Sequence, residues 1–225
     1  MIVHTNEPVT LIGAGDLSQN TLNAALTVTD KIIAADGGAS LALRFGVTPD
    51  VVIGDMDSID PQVQAEFDAA NVYPVSEQDS TDFEKVLQRV DAPVYVAVGF
   101  LGARVDHQLA CFTALTRHPD KKIILLGEVD VVFLAPARVA MPLMADTRVS
   151  LYPMGSVCGS STGLNWPIDG LKFAPNGQIG TSNHATGPVE LKVDAPLMLV
   201  VLPADQFSCV LEGLTAAAQW PARAE

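Results

Sequence analysis

Five aspartates stand at places in the chain where predicted strands end or predicted helices begin. They are Asp36, Asp55, Asp57, Asp82 and Asp106. In an open α/β sheet the carboxyl ends of the strands share one edge, and ligands bind there. We therefore expect these carboxylates, which come from four separate segments, to converge on one crevice. Asp55 and Asp57 form the most specific pair, because two carboxylates two residues apart in one loop can bind one ion together.

A divalent cation is the expected occupant of such a crevice. Neighbouring carboxylates repel one another and raise each other's pKa unless a positive charge lies among them. Mg²⁺ prefers oxygen ligands, retains several waters and commonly joins one or two carboxylates to the phosphates of a substrate. Taken singly, an aspartate before glycine is often part of a turn, and one before a helix is often a cap. The magnesium prediction therefore depends on all five aspartates lying at the same edge.

Basic and glycine-rich residues beside the aspartates could bind phosphate. The segment GFLGAR, residues 99–104, lies between a predicted strand and a predicted helix, where backbone N–H groups attract anions. Arg104 can form a forked pair with a phosphate, and Lys85 shares one helix face with Asp82. Alternatively, Lys85 pairs only with Asp82. Arg104 would then pair with Asp106, and both would be surface ion pairs of little consequence.

Other reactive residues give weaker signals. Gly13-Ala14-Gly15 follows a predicted strand, like the start of a dinucleotide-binding fingerprint. Ser18 stands where the third glycine is expected, which disfavours an NAD-dependent oxidoreductase. The 4 histidines show no metal-ligand spacing. The 3 cysteines are scattered, so we expect small buried side chains and not a disulfide framework or a zinc cluster.

The elements that must position these residues alternate between strand and helix up to about residue 134. Short β-branched runs predict strands at residues 9–12, 32–35, 51–53, 94–98, 123–126 and 131–134. Helices are predicted from Asp60–Pro61, from a Ser80 cap to about Val90, and from Asp106 to Arg117. This alternation indicates an α/β domain over residues 1–137 with a mainly parallel, Rossmann-like sheet.

The second half of the chain has a different texture. Beyond Pro136 it becomes rich in glycine, proline and serine, with short alternating runs. Strands are predicted at residues 148–152, 171–173, 189–193 and 197–202. We expect a C-terminal all-β sandwich or barrel over residues 138–225. A β unit of this size is only marginally stable alone, so it should pack on the first domain or on a partner chain.

The acidic composition disfavours proteins that bind nucleic acid or an anionic membrane. The 225 residues carry 13 Lys and Arg against 26 Asp and Glu, a formal net charge of −13. Binding to nucleic acid or to an anionic membrane needs a basic footprint, so both are disfavoured. The first ten residues, MIVHTNEPVT, show no basic region before an apolar stretch, so we expect no secretory signal and a cytoplasmic location.

Successive segments of the chain resemble one enzyme family. The segments ADGGAS (35–40), FGVTPDVVIGDMDSI (45–59), DSTDFEKVL (79–87) and GFLGARVDHQLA (99–110) are similar, in order, to motifs of thiamine pyrophosphokinase. In the second half, STGLNWPIDGLKF (161–173) and GTSNHATGPVELKV (180–193) resemble that family's thiamine-binding segments. The resemblance covers nearly the whole chain, and its motifs are specific in combination.

The resemblance implies transfer of a diphosphate from ATP to the hydroxyl group of thiamine, which gives thiamine diphosphate and AMP. The implied catalytic and Mg²⁺-binding residues are Asp55, Asp57, Asp82 and Asp106. The implied ATP-binding residues are Asp36, Gly37, Gly38, Thr81, Lys85, Gly102 and Arg104. The implied thiamine-binding residues are Ser182, Asn183 and Trp166. The resemblance also implies a homodimer whose active sites combine the nucleotide domain of one chain with the β domain of the other.

Two residues depart from the motifs of that family. Ala103 stands where the family usually has glycine, and Met56 stands where it usually has phenylalanine. Diphosphoryl transfer needs an in-line hydroxyl, a metal and positioned donors. One carboxylate would accept the hydroxyl proton, and Asp57 and Asp106 are the candidates. Two other functions use the same aspartates: a metal-dependent phosphohydrolase, and a nucleotide- or thiamine-binding regulator without catalysis.

Overall fold

The computed structural model describes residues 1–59, 64 and 66–223. The chain is a mixed α/β protein with a large sheet that contains parallel and antiparallel strands. It divides into two compact units, one of residues 1–114 and 125–128 and the other of residues 115–124 and 129 onward. The helix that the sequence predicts from Asp60–Pro61 lies outside the described residues.

Parallel strands form the sheet of the first unit. Their bounds are β1 (Val3–His4), β2 (Val9–Ile12), β3 (Lys31–Ala35), β4 (Val51–Gly54), β5 (Val72–Pro74), β6 (Val90–Asp91) and β7 (Tyr95–Val98). The order is β7-β2-β3-β4-β5, and β1 pairs with β6 separately. Every residue of β2, β4 and β7 is buried. Strands buried on both faces read as continuous apolar runs, which is why the sequence predicts them correctly.

Helices follow the strands of this unit. They are α1 (Gln19–Leu26), α2 (Gly38–Arg44), α3 (Asp82–Arg89) and α4 (Val105–Arg117), with a 3₁₀ turn at Ala69–Asn71. The prediction of Ser80 as the cap of α3 is wrong by one residue. Thr81 is the N-cap, because the Thr81 hydroxyl accepts the N–H of Glu84 and the Glu84 carboxylate accepts the N–H of Thr81, each at 3.3 Å. This reciprocal capping box fixes the first turn of α3.

The strands after residue 120 are β8 (Ile123–Leu126), β9 (Asp130–Leu134), β10 (Arg138–Met141), β11 (Arg148–Pro153), β12 (Val157–Leu164), β13 (Lys172–Phe173), β14 (Gly180–Val193) and β15 (Met198–Pro203). Strands β9 to β15 pair with one another in antiparallel ladders, and β14, which is 14 residues long, pairs with β10, β11 and β12. β15 lies between β11 and β9.

A helix corrects the all-β expectation for residues 138–225. After a 3₁₀ turn at Ala204–Gln206, α5 (Phe207–Ala216) buries Phe207, Val210 and Leu214. Their spacing of three and four residues is the apolar stripe of an amphipathic helix. No helix in the described part of the chain is both long and apolar enough to cross a membrane.

Candidate active site

Asp36 is a buried carboxylate at the end of β3 with one unused oxygen. Its residue is 1% exposed, and its φ of 43° turns the chain from β3 towards α2. Oδ1 accepts the N–H of Met56 at 2.9 Å, whereas the buried Oδ2 has no hydrogen-bond partner among the described residues. Gly54 allows this arrangement, because a Cβ there would lie 2.6 Å from the Asp36 Cβ. A buried oxygen without a partner costs free energy unless a cation or a donor satisfies it.

Asp55 and Asp57 bring two more carboxylates to Asp36. Both lie in the loop after β4, and one oxygen of each of the three residues lies within 4.8 Å of the others. Asp57 is exposed and accepts the hydroxyl of Ser58 at 2.9 Å. Three closely spaced carboxylate oxygens are the hard, anionic ligands that suit Mg²⁺. The residues present therefore fit a divalent cation at this end of the sheet.

Asp82 and Asp106 do not belong to this close group in the described part of the chain. Asp82 is the first residue of α3, where Lys85 binds its carboxylate. Asp106 lies in the first turn of α4, where Arg104 binds it. Both ion pairs are those named as alternatives in the sequence analysis, and the role of either aspartate as a metal ligand stays a prediction.

Lys85 joins the acidic group to α3. Its side chain is only 3% exposed, and Nζ donates to Asp55 Oδ2 at 2.8 Å and to Asp82 Oδ1 at 3.1 Å. Burial acts to lower the pKa of Lys85, but the bonds to both carboxylates outweigh it and raise the pKa above its ordinary value. The bond from Lys85 lowers the pKa of Asp55, whereas burial raises the pKa of Asp82. Lys85 is therefore a buried ammonium that compensates two carboxylates, and not the surface ion pair of the alternative interpretation.

Arg104 and Asp106 form a solvent-exposed forked pair. Arg104 Nε donates to Asp106 Oδ1 at 3.2 Å and Nη2 donates to Oδ2 at 2.6 Å, and both side chains are 65% exposed. The hydrogen bonds to Arg104 lower the pKa of Asp106 and raise the pKa of Arg104. An exposed pair of this kind is screened by water, so it is free to exchange for another anion.

The two glycine-rich loops of the first unit pack against each other. A Cβ at Gly13 or Gly15 would lie 2.5 or 2.7 Å from the carbonyl oxygen of Gly99. At the start of α1, Glu128 accepts the N–H of Ser18 at 2.8 Å and the hydroxyl of Thr21 at 2.7 Å. Close packing therefore explains Gly13 and Gly15, and a carboxylate of the chain itself already lies at the helix start where a dinucleotide fingerprint would bind pyrophosphate.

Close packing also explains one of the two glycines after Asp36. Gly37 is the N-cap of α2, and a Cβ at Gly38 would lie 2.0 Å from the carbonyl oxygen of Ile12. Helix α2 can therefore approach β2 closely only with glycine at position 38. An ATP-binding role for Gly37 and Gly38 stays a prediction, as does that of Thr81, whose hydroxyl caps α3.

The second unit brings the three predicted thiamine-binding residues together. Asn183 is buried; its Oδ1 accepts the N–H of Trp166 at 3.1 Å, and its Nδ2 donates to the Trp166 carbonyl at 2.7 Å. The Trp166 residue is 56% exposed, and its ring meets that of His184 edge-on at 5.0 Å between centroids. Ser182 is exposed with a φ of 64°, and its N–H donates to the hydroxyl of Ser150 at 3.0 Å. Asn183 thus fixes the backbone of the segment that carries Trp166.

Comparison with protein families identifies the chain. The profile described as "Thiamin pyrophosphokinase, catalytic domain" matches residues 22–125, and "Thiamin pyrophosphokinase, vitamin B1 binding domain" matches residues 139–198. The chain belongs to the thiamin pyrophosphokinase family. Its activity is that of an ATP:thiamine diphosphotransferase, and its substrates are ATP and thiamine.

Named relatives agree with this family. "Thiamine pyrophosphokinase 1" of Oryza sativa subsp. japonica is 30% identical in an alignment 185 residues long that covers 67% of this chain and 70% of the relative. "Thiamine pyrophosphokinase 1" of Arabidopsis thaliana is 29% identical in an alignment 185 residues long that covers 67% of this chain and 69% of the relative.

Solved structures share the fold. Thiamin pyrophosphokinase from Candida albicans superimposes with a TM-score of 0.76 at 17% identity, covering 89% of this chain and 93% of that one. Thiamin pyrophosphokinase from Geobacillus thermodenitrificans superimposes with a TM-score of 0.74 at 22% identity, covering 90% of this chain and 99% of that one.

Some residues that contact the candidate site of this thiamin pyrophosphokinase give no signal in the sequence. Asp16 accepts the N–H of Ala103 at 3.0 Å, and Gln108 accepts the N–H of Gly102 at 3.1 Å. Both bonds lie in the segment predicted to bind phosphate through its backbone. His184 beside Trp166 is also missed. A lone aspartate, glutamine or histidine gives no motif signal when its partner is a backbone group or a ring distant in sequence.

Proposed function

We propose that Asp36, Asp55 and Asp57 hold a Mg²⁺ ion that binds the phosphates of ATP during diphosphate transfer to thiamine. The observation that carries this proposal is the buried, unpartnered Oδ2 of Asp36 in a group whose carboxylate oxygens lie within 4.8 Å of one another. When bound, Mg²⁺ neutralises charge on the phosphate oxygens and orients the polyphosphate. We keep Asp82 and Asp106 as further metal-binding candidates, each already paired with one basic side chain.

Lys85 and Arg104 take different parts in this proposal. Lys85 is bonded to Asp55 and Asp82, so its charge favours the ionised form of both carboxylates and its hydrogen bonds hold their orientation. Arg104 is exposed and fork-shaped, so it can exchange its pair with Asp106 for the polyphosphate of ATP. The general base that accepts the thiamine hydroxyl proton is Asp57 or Asp106, because both carboxylates are exposed to solvent and can reach an incoming alcohol.

The thiamine part of the proposal rests on the second unit. Ser182 and Asn183 would hydrogen-bond the aminopyrimidine ring, and the exposed face of Trp166 would contact the rings of the substrate. The acidic character of the chain, with a net charge of −13, favours the cationic thiazolium of thiamine. It also favours ATP as its metal complex over the more negative nucleotide alone.

We further propose the division of labour that the sequence predicts. Residues 1–137 would form a Rossmann-like ATP- and Mg²⁺-binding domain, and residues 138–225 would form a β-sandwich or barrel domain for thiamine binding and dimerisation. The two family profiles, whose descriptions are catalytic and vitamin B1 binding, support this division. A homodimer and a cytoplasmic location belong to the same proposal.

The product of the reaction tests this function directly. The full chain is incubated with ATP, Mg²⁺ and thiamine, and nucleotides and thiamine esters are separated by chromatography. We expect AMP and thiamine diphosphate in equal amounts. ADP in place of AMP would contradict diphosphate transfer. Inorganic phosphate released without thiamine would favour the phosphohydrolase, and ligand-induced stabilisation without any product would favour the non-catalytic regulator.

The change Asp57→Asn tests the role of the acidic group. Asp57 is exposed, so the substitution should leave the melting temperature unchanged while it removes a ligand charge. We expect a loss of at least about 100-fold in kcat/KM for ATP, of the order seen when a charged group of a catalytic site is neutralised. The matched control is Asp205→Asn, an exposed aspartate that bonds Gln206, and it should keep full activity. Equal activity of the two variants would remove Asp57 from the site.

A further inference from the structure

One acidic side chain of the first unit lies against residues 99–104, the segment predicted to bind phosphate and called here the phosphate-loop candidate. This side chain is not one of the three carboxylates proposed to bind Mg²⁺. We propose that Asp16 is a positioning residue for ATP binding, which holds the backbone of Gly102 and Ala103 and thereby presents Arg104 to the polyphosphate. The inference rests on the proposed role of Arg104. Asp16 lies at the end of the Gly13–Gly15 loop, whose glycines pack against Gly99.

The loop before Arg104 adopts a conformation that L-residues disfavour. Gly102 has a φ of 78°, and Ala103, which has a Cβ, has a φ of 53°. Two consecutive left-handed residues turn the chain sharply before α4 begins at Val105. Glycine adopts this region readily, but alanine does so only when its surroundings impose it. Something in the fold must therefore hold Ala103 in place.

Asp16 supplies that restraint through two contacts. Its Oδ2 accepts the N–H of Ala103 at 3.0 Å. Its side chain also packs closely against Gly102, where a Cβ would be 2.4 Å from Oδ2 and 2.9 Å from the Cβ of Asp16. Gln108, the fourth residue of α4, accepts the N–H of Gly102 at 3.1 Å. Acceptors of the chain itself therefore engage both N–H groups of the left-handed pair.

Asp16 is itself held on a rigid segment. The N–H of Gly15 donates to the carbonyl of Gly99 at 2.7 Å, which ties the Asp16 loop to the start of the phosphate-loop candidate. Two residues beyond Asp16, Ser18 caps α1, and Glu128 accepts the N–H of Ser18. These bonds fix the backbone on both sides of Asp16, so its carboxylate can hold Ala103 in position.

The contacts of Asp16 and Gln108 affect which group of this loop can bind the phosphates of ATP. The N–H groups of Gly102 and Ala103 are already bonded, so these two residues have no free backbone donor for phosphate. We assign the phosphate contact to the guanidinium of Arg104, which is exposed. Arg104 follows the left-handed pair directly, so a change in the φ of Ala103 would redirect its side chain. Asp16 would therefore act through geometry on ATP affinity, and the second unit, where the proposed thiamine residues lie, would not sense its loss.

Three variants of the full chain distinguish a hydrogen-bond acceptor that positions the loop from a carboxylate that acts through its negative charge. Asp16→Ala removes the acceptor, Asp16→Asn keeps a side-chain oxygen without the charge, and Asp30→Ala is the control at an exposed aspartate of the same unit. The measurements are the KM for ATP and for thiamine, kcat and the melting temperature at saturating Mg²⁺, together with the Mg²⁺ concentration that gives half of the maximal rate. We expect Asp16→Ala to raise the KM for ATP about tenfold with the KM for thiamine within about twofold, and Asp16→Asn to stay within about threefold of the parent chain.

Each other outcome overturns the proposal in a recognisable way. Tighter ATP binding in Asp16→Ala would mean that the carboxylate competes with phosphate for the Ala103 N–H. Equal damage in Asp16→Asn and Asp16→Ala, with a raised Mg²⁺ requirement, would make Asp16 a metal ligand. No change relative to Asp30→Ala would leave it without a role in ATP binding. A matching rise in the KM for thiamine would indicate a general structural defect.

A second substitution tests the route through Ala103. Ala103→Gly removes the penalty for the left-handed conformation, so the loop should depend less on Asp16 in that background. We expect the Asp16→Ala effect on the KM for ATP to fall by at least about half, a coupling of the kind that double-mutant cycles detect. An undiminished effect would contradict the route. If the parent chain forms no AMP, the proposed function has failed, and titration with a fluorescent ATP analogue still decides whether Asp16→Ala weakens nucleotide binding.

Discussion

Lys85 shows how a single residue decides the electrostatics of this site. Its ammonium lies within hydrogen-bond distance of two carboxylates while its own side chain is almost fully buried. Removing one partner of a buried ion pair is costly because the remaining charge is left without compensation in a poorly solvated place. Asp55 is 15% exposed and Asp82 41% exposed at the side chain, so water relieves part of that cost.

Lys85→Met should therefore destabilise the protein by about 1–3 kcal/mol, below the full penalty of a completely buried pair. Urea denaturation at pH 7 measures this difference. The matched control is Lys192→Met, because Lys192 is exposed and pairs with Glu190 on β14 at 3.1 Å. It should cost less than about 0.5 kcal/mol. An equal loss of unfolding free energy in the two variants would mean that the buried Lys85 ion pairs stabilise the protein no more than an exposed pair does.

The same pair predicts a pH dependence. Lys85 lowers the pKa of Asp55 below 3.8, so this pair contributes stability above that value and the contribution is lost as pH falls through the lowered pKa. The stability difference between the parent chain and Lys85→Met should therefore shrink as pH falls below about 3.8. A difference that stays constant down to pH 3 would contradict the assignment to ionised Asp55.

Residue patterns in the sequence reveal some of this site and not the rest. Asp55, Asp57 and Lys85 are found because they lie in a loop after a strand or on the first turn of a helix. Asp16 and Glu128 are missed because their partners are backbone groups 87 and 110 residues away. The burial of Lys85 is missed as well, because a basic residue near a helix start is more often exposed.

At the scale of elements, the first turn of α3 positions two residues of the site. Its capping box joins Thr81 and Glu84, and Asp82 and Lys85 lie within the same turn. Such a cap satisfies backbone donors that the helix leaves unpaired, so its loss frays the turn. The geometry of the Lys85 contacts therefore depends on a threonine that also stands among the predicted ATP-binding residues.

Thr81→Ala should cost about 1 kcal/mol of stability, whereas Thr81→Ser keeps the hydroxyl and should cost less than about 0.5 kcal/mol. Urea denaturation gives the stability, and the KM for ATP reports on the Lys85 and Asp82 geometry. We expect both effects to appear in Thr81→Ala and to be absent in Thr81→Ser. A raised KM for ATP in Thr81→Ser as well would point to a direct contact between the threonine and the nucleotide.

The elements themselves differ in how far the sequence predicts them. β2 and β8 are predicted to the residue, because an apolar run between turn residues marks a buried strand. α2 is missed because it begins at Gly38 after a second glycine, a pattern typical of a turn. α5 is missed because the short alternating runs before it indicate an all-β unit, and that expectation extends to residue 225 although Phe207, Val210 and Leu214 have helical spacing.

At the scale of the whole molecule, the proposal requires two chains. A homodimer would let the second unit of one chain complete the site of the other, and closed two-fold dimers are the commonest protein assemblies. We expect light scattering after size-exclusion chromatography to give about 47 kDa, twice the 23.7 kDa of one chain. Full activity in a sample that remains monomeric across the assay concentrations would contradict this part of the proposal.

The proposed function depends most on the acidic group formed by Asp36, Asp55 and Asp57. Mn²⁺ can replace Mg²⁺ at oxygen sites and is visible by electron paramagnetic resonance. The decisive measurement is a titration of Mn²⁺ with ATP into the parent chain and into Asp57→Asn. The proposed site predicts saturable binding in the parent chain and a loss of at least about tenfold in affinity in the variant. Equal binding by both proteins, with both still folded, would place the ion elsewhere and contradict the proposal.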